Sequence, residues 1–458
     1  MSWDSVDQKA AALDFARPFD VHKWSDYPEV NKAVNALFDD LKGDPEFTGN
    51  DNLQKKHVKV VALDLYAAWL GHPEQYISLH RSPNAYTKDT RYNKLHISFL
   101  TVGVVDALER AEYVEFHKGY QNRETGKSAI SRIRATDKLI KLIKDDHEVP
   151  AIAISKHPHT ECIILRDADK RDIDYKDTRT TERMRKQLKA YNALLNKTKI
   201  EIPDPEDFYV LGIDREAKYL INEPGYFVRR IFNNSSWRDG GRFHGGWWQQ
   251  IPGKIRRTIH LNDGKEACSE VDYSGLHIVL LYGMEDIDYW KEDGEDPYKL
   301  AGYEESERLR QLLKIVLLIA INAKDKATAV NAIKNEINFN NHEYGWSKRV
   351  GIDIEELIDA FASRHQRIAK YLFSGQGIKL QHIDSRIAEK VIEHFTAKDI
   401  PVLCVHDSFL IDPLHENELI TLMVKSFKEI VRDITPSKID IEATMKHSCH
   451  YSDLLKVS

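Results

Sequence analysis

Two short apolar runs each carry one aspartate: Asp272 in Glu270-Val271-Asp272-Tyr273-Ser274, and Asp407 in Val402-Leu403-Cys404-Val405-His406-Asp407-Ser408-Phe409-Leu410-Ile411. Valines, isoleucines and aromatics around a single aspartate read as a buried strand that delivers a carboxylate at its lip. Two such carboxylates are what a two-metal phosphoryl-transfer site requires, because each must bridge Mg²⁺ ions held about 3.5–4 Å apart. Between them lies Ser306-Glu307-Arg308-Leu309-Arg310-Gln311-Leu312-Leu313-Lys314, a helical segment on which Arg310 and Lys314 face the same side.

The elements that must position these residues follow from the texture of the chain. With 458 residues and 42% hydrophobic composition, it has length for about three domains. Its 66 basic and 72 acidic residues give a net charge of -6, so any nucleic-acid surface has to be a local basic groove. Cys162, Cys268, Cys404 and Cys449 form no CxxC pair, which argues against a disulfide framework or structural zinc and for a reducing, cytoplasmic setting. The first residues are acidic and no run of about 18 apolar residues occurs, so no membrane association is expected. Residues 1–80 read as a helical lead-in. Across 81–145, a helix through Leu100, Val104 and Leu108 gives way to the strand Tyr113-Val114-Glu115-Phe116, a polar turn at 118–127 and the alternating strand Ala129–Arg134. That order resembles a winged-helix module, with Lys118, Arg123, Lys127, Arg132 and Arg134 as phosphate contacts. Residues 146–226 read as a helical, thumb-like connector. From Trp237 to Gln250, arginines, aromatics and glycines are interleaved, a mix that suits close approach to a template or primer strand, with Arg242 as the leading contact.

From about 227 to 458 the order of motifs resembles the palm and fingers of family A DNA polymerases and of the related single-subunit, phage-type RNA polymerases. Asp272-Tyr273-Ser274 is similar to the first catalytic motif of these enzymes, and His406-Asp407-Ser408 to the last, where the second metal-binding aspartate sits in a hairpin turn near the primer end. Arg310-x-x-x-Lys314 is similar to the fingers helix that grips the incoming triphosphate. The resemblance implies an α+β right-hand polymerase core, with fingers at about 283–375. It also implies catalytic, metal-binding Asp272 and Asp407 with two Mg²⁺ ions (Mn²⁺ as a substitute), Arg310 and Lys314 on the nucleoside triphosphate, and His406 by the primer. Gln381 and Arg386, on a predicted helix before the last strand, would touch the product duplex.

Departures from the family pattern bear on the product. Where family A enzymes carry a tyrosine-glycine pair beyond the fingers lysine, this chain has Asn322-Ala323, so the aromatic at the nascent pair is missing. Five residues beyond Asp272, where DNA polymerases place a glutamate against a ribose 2′-hydroxyl, stands His277, bulky enough to act as a sugar gate yet able to hydrogen-bond that hydroxyl. Ser408 is like the RNA enzymes, and an alignment through Ser274-Gly275 would put a small residue at the gate. The expectation is a nucleotidyltransferase that uses nucleoside triphosphates and a DNA or RNA template and primer, with DNA synthesis slightly favoured. An RNA polymerase or primase-like enzyme, an untemplated terminal transferase and a non-catalytic nucleic-acid-binding factor are the alternatives.

Overall fold

The computed structural model describes residues 13, 16–86, 90–121, 128–202, 227–262 and 264–447. The chain divides into two compact units: Met1–Cys162, Lys176–Arg229 and Gly245–Arg256 form one, and Ile163–Tyr175, Arg230–His244 and Arg257–Ser458 form the other. Helices and sheets are both present, as the sequence predicts.

In the first unit, α1 (Pro28–Leu41) starts on a proline, whose missing N–H costs nothing at that position, and buries Val30, Val34, Leu37 and Leu41 on one face. Asn50 caps α2 (Asp51–Gly71), accepting from Leu53 N at 3.1 Å. Apolar almost all round, α2 lies in the core. Strands β1 (Arg17–Pro18) and β2 (Ile77–Leu79) run parallel. The predicted helix and strands follow as α3 (Leu100–Arg110), β3 (Val114–His117) and β4 (Ser131–Ala135), giving the sheet order β1-β2-β4-β3. Alternation in β4 buries Ser131, Ile133 and Ala135 and turns Arg132 and Arg134 to the other face. Arg134 ion-pairs with Glu74 and Glu115 and lies over the Tyr76 ring at 5.1 Å. Arg132 donates to the Ile130 carbonyl at 3.1 Å, and Lys118 is exposed. Arg123 and Lys127 lie outside the described residues. The amphipathic stretch before 200 is α4 (Arg179–Lys197), opened by a reciprocal Thr178–Thr181 cap.

In the second unit, β5 (Ile163–Leu165) runs parallel to β6 (Arg229–Phe232), and β6 is bonded on its other edge to β7 (Gly240–His244). The second sheet contains β8 (Ser269–Tyr273), the hairpin of β9 (Val402–Val405) and β10 (Ser408–Ile411), and β11 (Met445–His447). Its order is β9-β10-β8-β11, antiparallel throughout. Between β8 and β9 the chain forms α5 (Leu276–Gly283), α6 (Glu307–Asn322), α7 (Lys326–Phe339), α8 (Ile354–Arg364) and the long α9 (Gly377–Ala397). Ser306, Asp325 and Asp353 cap α6, α7 and α8. After the hairpin, α10 (Glu416–Val431) covers β8, and the buried Tyr273 hydroxyl donates to Met423 O at 2.7 Å.

Candidate active site

Antiparallel pairing sets Val271 opposite Phe409 and Asp272 opposite Ser408. The two residues between β9 and β10 are His406 and Asp407, so the hairpin turn brings Asp407 to the neighbour of Asp272's cross-strand partner. His406 takes φ 61°, the left-handed conformation that a two-residue hairpin turn needs at its first position and usually gives to glycine. The flanking Val271, Phe409 and Leu410 are fully buried, which fixes the register. Burial, then the negative charge of Asp407 and of Glu270, pushes the Asp272 carboxyl above the usual carboxylate range, while the Lys314 ammonium pulls against them. Ser408 is buried, its hydroxyl donating to Glu270 Oε1 at 2.9 Å.

On α6, Lys314 stands close enough to Asp272 to act on its charge, one turn along from Arg310. Arg310 Nε donates to Asp296 Oδ2 at 2.7 Å, and its guanidinium lies over the Tyr298 ring at 5.1 Å. Burial raises the Tyr298 hydroxyl, and the charges of Arg310, Asp407 and Asp272 also reach it. A cavity of about 270 Å³ at the start of α6 is lined by Asp296, Tyr298, Lys299, Tyr303, Ser306 and Arg310. Exposed Leu318 and Asn322 continue the stripe of Arg310 and Lys314 at four-residue steps, and the Asn322 amide donates back to Leu318 O at 2.8 Å.

Strand β7 carries Arg242, α5 carries His277 and α9 carries Asp384, and the three side chains meet. Arg242 Nε lies 3.1 and 3.0 Å from the two Asp384 oxygens, and its Nη2 also donates to Oδ2. His277 Nε2 is 3.1 Å from Asp384 Oδ2. Burial opposes the Asp384 charge, but hydrogen bonds from His277 and Arg242 hold its carboxyl below the usual carboxylate range. Burial likewise works against Arg242, and Asp384 with Asp407 more than compensates, so its guanidinium stays above its ordinary value. Beside this group His406 packs edge-on to His244, with ring centroids 5.3 Å apart. Burial, then the Arg242 and His244 charges, lowers the His406 imidazole to about 4. On α9, Gln381 is half-buried and Arg386 ion-pairs with Asp433 at 2.9 Å.

Of the residues singled out from sequence, Asp272, Asp407, Lys314 and Arg310 share one electrostatic neighbourhood, and the charge of Asp407 also reaches Arg242, which meets His277 at Asp384. Asp384 and Asp296 were not singled out. Asp384 stands between Leu380 and Ile387 on the apolar stripe of α9, and a lone acid at a core position is the sequence mark of a buried ion pair. No comparable pattern marks Asp296, which reaches Arg310 across a loop. The carboxylate oxygens of Asp272 and Asp407 are hard donors of the kind that suits Mg²⁺, which is held by one or two protein carboxylates and completes its shell with phosphate and water. Among the described residues there is no group of three or more acidic, His or Cys side chains placed to hold a metal ion.

No family model matches the sequence, and no curated protein does. Among solved structures, the chain is similar to the POL domain of Pol1 from M. smegmatis in complex with DNA primer-template and dNTP. The identity is 12% and the TM-score 0.28, over 97% of this chain and 69% of that one. A superposition that loose has no bearing on the site. Among the described residues, no helix is long and apolar enough to cross a membrane.

Proposed function

We propose that the second unit is the catalytic core of a nucleic-acid polymerase, transferring nucleotides from nucleoside triphosphates to a primer 3′-hydroxyl on a template. The observation that carries this reading is the β8–β10 register, which sets Asp272 and Asp407 side by side within reach of the Lys314 charge. In this reading the sheet of β8 to β11 is the palm, and residues 283–375, with α6, are the fingers. Asp272 and Asp407 would hold two Mg²⁺ ions, which when bound would supply positive charge at the 3′-hydroxyl and at the departing pyrophosphate. Lys314 and Arg310 bind the triphosphate, Arg310 exchanging Asp296 for a phosphate oxygen. His406 and Arg242 stand by the primer end, Gln381 and Arg386 by the product duplex, and Lys118, Arg132 and Arg134, with Arg123 and Lys127, on nucleic acid at the first unit.

Deoxynucleotides are the favoured substrate. His277, on the helix that follows the first aspartate, is tethered to Asp384, while the Ser408 hydroxyl that resembled the RNA enzymes is engaged by Glu270. The test supplies the protein with labelled primer-template or primer alone, dNTPs or rNTPs, and Mg²⁺ or Mn²⁺. The expected result is template-dependent extension, stronger with dNTPs. Extension of primer alone would favour a terminal transferase, and extension by neither nucleotide set with either metal would sink the catalytic reading.

A further inference from the structure

We infer that Asp384 is a positioning residue for sugar selection: from within α9 it fixes the His277 imidazole through Nε2, and Arg242 fixes Asp384 in turn. The inference rests on the polymerase reading, in which His277 faces the sugar of the incoming nucleotide. The Asp384 side chain is wholly shielded from solvent, whereas those of Arg242 and His277 are 14% and 15% exposed. The three come from separate elements, β7, α9 and α5, so one carboxylate ties the helix that follows Asp272 to the helix that precedes Asp407.

The hydrogen bonds assign the protons. Arg242 can only donate, and its Nη2 lies 3.2 Å from His277 Nε2, which is itself 3.1 Å from Asp384 Oδ2. A nitrogen that accepted from Arg242 would set its lone pair against the Asp384 oxygen 3.1 Å away and would offer the carboxylate no proton. Nε2 therefore carries a proton and donates to Asp384, and the two donors converge on one oxygen. Nδ1, on the opposite side of the ring, has no hydrogen-bond partner among the described residues. A ring anchored at Nε2 cannot swing about its second side-chain torsion, and a sugar gate discriminates only if it cannot swing aside. Without Asp384 the imidazole is free to turn, and the space of a 2′-hydroxyl opens.

Two measurements test this. In [¹⁵N]histidine-labelled protein, an Nε2–H signal protected from exchange, assigned by its loss in His277→Gln, is expected in wild type and absent in Asp384→Asn. In primer extension, Asp384→Asn should lower the dNTP to rNTP preference about tenfold, the ratio equivalent to 1.4 kcal/mol. Asp384→Glu should recover part of it. In a His277→Gly background, Asp384→Asn should leave the ratio unchanged, a non-additivity that a general loss of packing would not produce. Should Asp384→Asn fail to fold, the Arg242→Gln/Asp384→Asn double variant removes both buried charges and carries the same readouts. A missing wild-type Nε2–H signal, an unchanged sugar ratio in Asp384→Asn, or an equal drop in both backgrounds would each overturn the inference. A shift toward dNTPs would overturn it too, since His277 would then be binding the 2′-hydroxyl. If the wild-type protein extends with neither nucleotide set, the polymerase reading falls and the sugar role with it, while the histidine spectrum still decides the Asp384–His277 contact.

Discussion

At the residue scale the site is a balance of charge. Asp272, Asp407 and Glu270 repel one another in a partly desolvated corner, and Lys314 relieves only part of that strain. Arg310 rests on the carboxylate of Asp296, which in the proposed reading a phosphate oxygen replaces. Removing either cation should therefore weaken triphosphate binding more than it disturbs folding. Arg310→Ala and Lys314→Ala are each expected to raise the KM for nucleotide roughly 10- to 100-fold, the worth of one charge-assisted hydrogen bond. Steady-state extension kinetics measure this, and an unchanged KM would remove the triphosphate assignment. The elements that carry both aspartates and both cations could be read in the sequence, the aspartates from their apolar runs and the cations from the order of the motifs. Asp296 could not, since its partner lies 14 positions away through a loop with no periodicity.

At the element scale two packing details hold the site in shape. Gly275, directly before α5, has φ 64°, and a Cβ there would come within 2.7 Å of Pro297 Cγ. Gly275→Ala should lower stability by about 1–3 kcal/mol, through both left-handed strain and the clash. Urea unfolding measures it, and a neutral result would mean that the Pro297 segment is free to retreat. That segment is held from behind by fully buried His365 at the end of α8. Because a carbonyl only accepts, His365 Nε2 donates to Pro297 O at 2.8 Å and Nδ1 accepts from the Tyr282 hydroxyl at 3.0 Å. Burial lowers this imidazole to about 4 from 6.5. The unfolded chain binds the proton first, so stability is full above about pH 6.5 and falls as pH drops toward 4, by roughly 3 kcal/mol in all. His365→Gln should make that part of the pH profile shallower, leaving the share of His406, which is lowered to the same range; an equal slope in the variant would assign it to other groups. The strands of Asp272 and Asp407 and the helices α3, α6 and α9 could be read from period and turn residues. The interleaved tryptophans were read as nucleic-acid contacts, whereas Trp248 is fully buried and Trp237 packs edge-on against Tyr175 and Phe232. Local composition cannot tell an aromatic that faces a ligand from one that faces its own core.

At the scale of the whole molecule the chain is not a simple series of segments. The second unit recruits Ile163–Tyr175, far upstream, and β5 pairs in parallel with β6 to complete its smaller sheet. A fragment of residues 227–458 lacks that strand and the Tyr175 contact to Trp237, so it should unfold at a lower urea concentration than the full chain. Equal midpoints for the two proteins would show β5 to be dispensable. Such non-local pairing leaves no trace in composition or periodicity, and so a sequence read in consecutive blocks passes over it. The claim on which the account depends is that Asp272 and Asp407 act together in nucleotide transfer. The direct measurement is primer extension by wild type, Asp272→Asn and Asp407→Asn, alongside duplex binding by the same three proteins. The account predicts that each substitution lowers extension more than about 100-fold with binding nearly unchanged; extension at near wild-type rates in either variant would contradict it.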